Sequence, residues 1–180
     1  MKKYLFLLAC FGFFISCKDN KIIPDFVKPD KYTQSNKMWV TIDSIEYESC
    51  VSGVSPSAEA DYNPSYLQLS GYFRKCSTGQ DPLKWFEIYM EVVNVHKIGV
   101  YPLGDSLSGF GSYSRYRDNN FIKIHYRTNR DYIGEVNITD FQVGTRQVSG
   151  EFSFTAFDNV IKDSISVKGK FNNVHLTKNF

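Results

Sequence analysis

Apolar and polar residues alternate with a period of two through most of this chain, a pattern typical of β-strands that bury one face. In the clearest run, Leu67, Leu69 and Phe73 alternate with Gln68 and Tyr72. The alternation recurs in five further segments, at 85–92, 122–127, 136–138, 152–156 and 165–171. No stretch of about a dozen residues carries a helical stripe of apolar side chains. We therefore expect an all-β domain.

Turn-forming residues separate these runs. Glycine, proline, serine and aspartate predict turns at 43–44, 56–64, 77–82, 102–104 and 143–145. About eight to ten short strands in one domain imply a single antiparallel two-sheet sandwich or a closed barrel. We assign this domain to residues 38–180, a length that supports one substantial hydrophobic core.

The first residues have the order of a secretory signal. Lys2 and Lys3 precede an uncharged apolar run over 4–15, and Ser16 stands directly before Cys17. The run is too short to span a bilayer, and polar residues follow it. We therefore predict a lipoprotein signal peptide over residues 1–16. Cys10 is a poorer cleavage point because it leaves a very short apolar run before it. An uncleaved apolar N-terminal helix is the alternative.

The segment around Cys17 resembles the lipobox of bacterial lipoproteins, whose cysteine receives acyl chains after cleavage. This resemblance implies that the mature chain begins at a lipidated Cys17 and is held at a membrane by those chains. The Cys17-Lys18-Asp19 start is also similar to the export signal of Bacteroidota-type lipoproteins. It implies an outer membrane lipoprotein exposed at the cell surface, and a periplasm-facing protein is the alternative.

Residues 17–37 predict a flexible tether, because they combine two prolines with many charged residues and few apolar ones. The alternative is that part of the tether, at 22–23 or 26–27, docks on the domain as an edge strand. With Lys+Arg 21 against Asp+Glu 19, removal of Lys2 and Lys3 leaves 19 of each, so the mature chain has no net charge. We expect no nucleic-acid partner, since a basic surface is the usual requirement.

The C-terminal third carries a second resemblance. The segments 134–139, 148–156 and 167–171 are similar to a recurring ending of small Bacteroidota lipoproteins of unassigned function. This resemblance implies an all-β lipoprotein domain and brings no catalytic residue. In the middle segment Gly150 has the same parity as Phe152 and Phe154, so we expect an aromatic ring from the facing sheet to lie over the glycine backbone.

Cys50 and Cys76 are the cysteines that remain after Cys17. A disulfide between them suits an oxidising compartment, and two unpaired thiols are the alternative. If residues 45–51 and 65–74 formed a plain hairpin, the two cysteines would lie too far apart to be bridged. A disulfide therefore requires that these strands are not simple hairpin neighbours.

Three Asp-Ser-apolar triplets resemble the O-glycosylation motif of exported Bacteroidota proteins. The serines lie at expected turns or strand starts, where a bulky sugar is tolerated. Ordinary turn residues are the alternative, because aspartate and serine are common in turns. The three candidate serines are Ser44, Ser106 and Ser164.

Catalytic and metal-binding patterns are absent from the sequence. His96, His125 and His175 are dispersed, and none has a second ligand at metal-binding spacing. Glu87 and Glu91 share a strand face, but four residues of strand span ~13 Å. That distance exceeds the ~5–9.5 Å that paired catalytic carboxylates need. We expect no catalytic residue, no cofactor and no metal.

Residues 106–121 have the composition of a recognition loop, with rigid rings and arginines among glycine, serine and asparagine. Its candidate ligand-binding residues are Phe110, Tyr113, Arg115 and Tyr116. The alternative is that these tyrosines simply line a strand. Outward-facing aromatic residues form a second candidate surface, which comprises Tyr66, Tyr72, Trp85 and Tyr89.

The sequence as a whole favours a membrane-anchored, non-catalytic module. Its expected partners are a glycan, a peptide or an envelope protein. A small hydrolase with a polar cleft, or a lipocalin-like carrier with an apolar cavity, is the alternative.

Overall fold

The computed structural model describes residues 34–49, 58–74, 85–105, 109–117 and 122–178. These ranges belong to a compact unit, Lys31–Phe180. They contain eleven strands: β1 (Lys37–Ile42), β2 (Ile45–Glu48), β3 (Ala58–Asn63), β4 (Tyr66–Arg74), β5 (Trp85–Val93), β6 (Gly99–Leu103), β7 (Gly109–Arg117), β8 (Ile122–Arg127), β9 (Gly134–Gln142), β10 (Gln147–Asp158) and β11 (Asp163–Lys178). Within these ranges no helix has the length and apolar character to cross a membrane.

The strand pairings close a ring. The sheet order is β2-β1-β11-β3-β4-β5-β7-β8-β10-β9-β6, and β10 also pairs with β11. A circuit of strands therefore runs from β11 through β3, β4, β5, β7, β8 and β10 back to β11. The pair β1–β2 extends from one side of the ring, and the pair β9–β6 extends from the other. This barrel-like arrangement confirms the all-β prediction.

Two details differ from the predicted architecture. The described residues form eleven strands rather than eight to ten. The sheet is also mixed rather than purely antiparallel, because Leu176–Lys178 of β11 run parallel to Ala60–Tyr62 of β3. The residues of β11 that make this parallel pairing lie at the end of the strand, after the residues that pair with β1.

The predicted parity of the strands is correct. Leu67, Leu69 and Phe73 on β4 are buried, and so are Ile88 and Met90 on the neighbouring β5. The intervening residues of both strands are half-buried. The apolar half of each strand therefore faces the interior, and the other half forms the outer surface.

Glycines let the aromatic rings of the interior approach the strands closely. Phe171 is the register partner of Gly150, and a Cβ atom on Gly150 would lie 2.6 Å from the Phe171 ring. The ring over Gly150 thus comes from the neighbouring strand, which corrects the expected contact from a facing sheet. A contact across the interior occurs instead at Gly111 of β7, where a Cβ would lie 2.9 Å from the ring of Phe154.

Two further predictions are wrong in their local structure. The predicted turn at 56–64 contains strand β3, whose Ala58 and Ala60 are buried beside β4. Alanine and aspartate have low strand propensity, so the sequence carries little sign of this strand. The predicted recognition loop at 106–121 contains strand β7, which pairs with β5 on one side and β8 on the other.

The turn predicted at 43–44 is confirmed. Ile42 pairs with Ile45, and the two residues between them have positive φ angles, 49° at Asp43 and 64° at Ser44. Two consecutive positive φ angles define a type I′ turn, which matches the twist of the flanking strands.

Candidate functional site

The outer surface of β4, β5, β7 and β8 carries a continuous set of aromatic and polar side chains. They alternate along each strand with the residues that face the interior. We call this surface the tyrosine face. Its described members are Tyr66, Gln68, Ser70, Tyr72, Glu87, Tyr89, Glu91, Phe110, Ser112, Ser114, His125 and Arg127.

A carboxylate lies at the centre of the tyrosine face. Gln68 Nε2 donates a hydrogen bond to Glu91 Oε2 at 2.9 Å, and Tyr89 Oη donates to the same oxygen at 3.3 Å. Gln68 and Glu91 are register partners on β4 and β5, so the sheet backbone sets their separation. All three side chains are half-buried, and their mutual hydrogen bonds restrict their rotamers before any ligand arrives.

The phenol of Tyr89 is held in its protonated form. Burial raises the pKa of Tyr89 far above its ordinary value, and the nearby carboxylate of Glu91 raises that pKa further. Both effects disfavour a phenolate, because the charged form would lose solvation and lie beside another negative charge. Tyr89 therefore remains a hydrogen-bond donor across the neutral and mildly alkaline range.

Aromatic rings stand beside this polar network. The rings of Tyr89 and Phe110 have centroids 5.5 Å apart, and the Cζ of Arg127 lies 3.7 Å from the centroid of the Phe110 ring. A guanidinium over a ring face is attracted by the ring's quadrupole, and its hydrogen-bond donors remain directed to the ring's periphery. The centre of the tyrosine face thus combines flat rings with both donors and acceptors.

Ser114 and His125 form a pair that invites a catalytic interpretation. Ser114 Oγ and His125 Nδ1 are hydrogen-bonded at 2.9 Å across β7 and β8. Ser114 is only 2% exposed, however, and a nucleophilic oxygen needs room for the substrate's carbonyl carbon. The burial of this oxygen favours a structural contact on the sheet surface over a catalytic dyad.

The structure separates the four residues predicted to bind a ligand. Phe110 lies on the tyrosine face, whereas Tyr113 has the opposite parity and is 7% exposed. The ring of Tyr113 packs in the interior against Phe86 and Tyr126, and burial raises the pKa of the Tyr113 phenol. Arg115 shares the parity of Tyr113 but is exposed near the strand end, and Tyr116 lies on β7 in register with Lys123.

Some of the remaining predicted site residues lie outside the residues that the structure describes. Cys17, Cys50, Cys76 and Ser106 lie outside the described residues. The serines of the other two triplets are both exposed. Ser44 lies in the turn between β1 and β2, and Ser164 lies at the beginning of β11.

The strands beside the two cysteines are not hairpin partners. β2 pairs with β1, whereas β4 pairs with β3 and β5. This pairing meets the condition that a disulfide between Cys50 and Cys76 requires, and the disulfide itself stays a prediction.

A polar groove of about 420 Å³ forms another candidate surface, across β1, β2, β9, β10 and β11. Its charged lining comprises Glu46, Glu135, Glu151, Lys168 and Lys170. Lys170 Nζ and Glu151 Oε1 form an ion pair at 2.8 Å. Because charges of both signs line the groove, it favours no ligand of a single charge.

The described ranges contain no group of three or more histidine, cysteine, aspartate or glutamate side chains placed to hold a metal ion. The three histidines are exposed. Gln68 and Arg127 carry no functional signal in the sequence, and the spacing of Glu87 and Glu91 bears only on whether they form a pair of catalytic carboxylates. The alternation along each strand shows that these side chains face outward, but it does not show the register between the strands that brings them together.

The chain matches a known family of domains. The sequence pattern of a family described as "Domain of unknown function (DUF6252)" matches residues 78–175. The matched segment contains β5 to β10 and most of β11, and with them the tyrosine-face residues Tyr89, Glu91, Phe110 and Arg127. No curated protein and no solved structure matches the chain.

Proposed function

This chain belongs to the DUF6252 family of domains of unknown function, and we propose that it is an envelope lipoprotein with a non-catalytic binding domain. The domain is carried at the outer membrane by acyl chains on Cys17, and it faces either the cell surface or the periplasm. The tyrosine face is its ligand-binding surface.

The hydrogen-bonded network around Glu91 is the observation that carries this proposal. Two side chains from neighbouring strands converge on one carboxylate oxygen, at 2.9 and 3.3 Å. Side chains that are ordered before binding lose less conformational entropy when a ligand arrives. Solubility alone does not require a sheet surface to carry a hydrogen-bonded network beside two aromatic rings, so this network supports a binding role.

A glycan is the ligand class that this surface fits best. The C–H face of a pyranose ring packs on flat rings such as Tyr89 and Phe110, while its hydroxyls need both acceptors and donors. Glu91 supplies the acceptor, and Gln68 and Arg127 supply donors. The exposed aliphatic residues of the described chain lie elsewhere, at positions such as Ile98 and Val160, so the face has little of the aliphatic character of a protein-docking surface.

The alternative functions have less support. A small hydrolase would use the Ser114–His125 pair, but the low exposure of Ser114 argues against this role. A lipocalin-like carrier would need an apolar cavity within the ring of strands. The interior instead contains the stacked rings of Phe152, Phe154 and Phe171, which is the arrangement of a packed core.

The test of the binding site is a printed array of bacterial envelope polysaccharides and peptidoglycan fragments, probed with the lipidated chain in detergent. We expect Glu91→Gln to lower binding to retained glycans at least about tenfold, since charge-assisted hydrogen bonds contribute ~1.5–3 kcal/mol each. Glu151→Gln, in the polar groove, is the matched control and should leave binding unchanged. Equal binding by all three proteins, or a loss confined to Glu151→Gln, would refute the assignment.

The anchor is tested separately. Cys17→Ser should abolish acyl-chain labelling in cells and release the protein from membrane fractions, because the acyl chains provide its hold on the bilayer. Continued labelling of this variant would place the acylated residue elsewhere.

A further inference from the structure

Two aliphatic side chains protrude from the turn between β10 and β11. Val160 is 88% exposed and the next residue, Ile161, is 49% exposed. We call the turn residues 159–162 the β10–β11 tip. Single exposed apolar residues are common on protein surfaces, but two adjacent ones at the end of a hairpin form a small convex apolar point.

Three of the four backbone amides of the tip are hydrogen-bonded within the protein. Asp158 Oδ1 accepts hydrogen bonds from the amides of Val160 at 2.7 Å and of Ile161 at 3.2 Å. The amide of Lys162 donates to the carbonyl oxygen of Asp158 at 3.0 Å. Three successive amides of the tip therefore have partners. These three amides therefore lose no hydrogen bond when the turn leaves water for lipid, which offers backbone groups no partners.

A third apolar side chain lies at the same end of the domain. Ile133 is 64% exposed, and its carbonyl oxygen accepts a hydrogen bond from the amide of Thr155, three residues before Asp158. The basic side chain of Lys162, within the tip, is exposed, and so is Asp163, which follows it. A lysine next to protruding aliphatic residues is suited to the boundary between acyl chains and anionic headgroups.

The chain enters the domain at the opposite end. The amide of Asn36 donates to Asn172, near the far end of β11, and Arg146 of the β9–β10 turn accepts from Leu176. Asn172 lies nine residues along β11 from Asp163, or about 30 Å at ~3.3 Å per residue. The 19 residues that follow Cys17 up to Asn36 span at most about 63 Å, which is ample for the chain to pass the length of the domain.

We propose that the β10–β11 tip inserts into the membrane interface and gives the domain a second contact with the bilayer. This inference rests on the proposed lipid anchor, which would keep the tip near lipid. A lipid surface suits the tip better than a protein does, because specific protein interfaces bury far more area than a few side chains provide. Insertion would orient the tyrosine face relative to the membrane instead of leaving the domain to tumble on its tether.

The test uses tryptophan at the tip of the lipidated full chain, reconstituted into liposomes of phosphatidylethanolamine and phosphatidylglycerol. Val160→Trp reports on the tip. Val143→Trp, an exposed position in the turn at the other end of β10, is the matched control. Emission is measured as the difference from the unsubstituted chain, with and without brominated lipids that quench fluorescence within the bilayer. Flotation of each sample shows first that the anchor holds the protein.

We expect the Val160→Trp emission to shift to shorter wavelength by about 10 nm in liposomes and to lose at least half its intensity with brominated lipids. The Val143→Trp emission should change little. Equal quenching at both positions, quenching at Val143→Trp only, or an unchanged tip emission in floated liposomes would overturn the proposal. The last result is the one expected if the tip contacts a protein partner. Failure to float would instead refute the lipid anchor.

Discussion

Alanine at position 111 should destabilise the domain through one specific contact, with Phe154. The three heavy atoms nearest to a Cβ on Gly111 all belong to the Phe154 ring, at 2.9 to 3.0 Å. Ordinary carbon contacts are ~3.5–4.0 Å, so the ring must move by about 0.5 Å or more. Overpacking of this kind costs ~1–3 kcal/mol. Gly111 is not among the described glycines with positive φ, so the substitution adds no backbone strain.

A double-mutant cycle isolates this contact. Phe154→Ala alone should cost ~3–5 kcal/mol, because it leaves a cavity in the interior. In that background the methyl group at position 111 enters the cavity, so Gly111→Ala should cost little or should stabilise. We therefore expect a coupling energy of ~1–3 kcal/mol between the two substitutions.

Urea unfolding followed by circular dichroism measures the four free energies of unfolding. Gly144→Ala is the control, since a Cβ there has no heavy atom within 4 Å, and it should change stability by less than ~0.5 kcal/mol. If the double variant loses the sum of the two single losses within ~0.5 kcal/mol, Phe154 is not what makes position 111 sensitive.

Two further predictions concern local structure. Ser44→Gly should stabilise the domain by ~0.5–1 kcal/mol, because the φ of 64° is strained for serine and free for glycine; an unchanged or lower urea midpoint would contradict the type I′ assignment. Burial raises the pKa of Asp158, but hydrogen bonds from the Val160, Ile161 and His125 amides outweigh it and lower that pKa below its ordinary value of 3.8. A lowered folded-state pKa gives stability that is present above pH 3.8 and is lost as the pH falls through the folded-state pKa. Asp158→Asn should flatten the acid side of the stability profile below about pH 3.8. A parallel shift of the whole profile would mean that the carboxylate charge is not responsible.

Local patterns in the sequence were enough to identify several elements. The alternation along β4, β5 and β10 sets which residues are buried, because a strand points successive side chains to opposite faces. The turn at 43–44 follows from the adjacent Asp43 and Ser44, because aspartate and serine are common turn residues. These features depend on neighbours within a few residues, so no tertiary information was needed.

Other features depend on contacts between distant residues. β7 begins with Gly-Phe-Gly-Ser-Tyr-Ser-Arg, in which glycine and serine give no apolar alternation. Only the packing of Tyr113 against Phe86 and Tyr126 therefore identifies Tyr113 as interior. β3 has one strand-forming residue, Tyr62, and is held by its pairing with β4 and β11.

The candidate site also depends on contacts between residues that are distant in the sequence. Gln68 and Glu91 are 23 residues apart, and they meet because β4 and β5 pair in one register. A shift of that register by one residue would place one of the two in the interior. The sequence by itself therefore determined the strands with a clear apolar alternation, such as β4, β5 and β10, and their buried faces, because this pattern is local. The tertiary structure decided where β3 and β7 lie and which outward-facing side chains lie side by side.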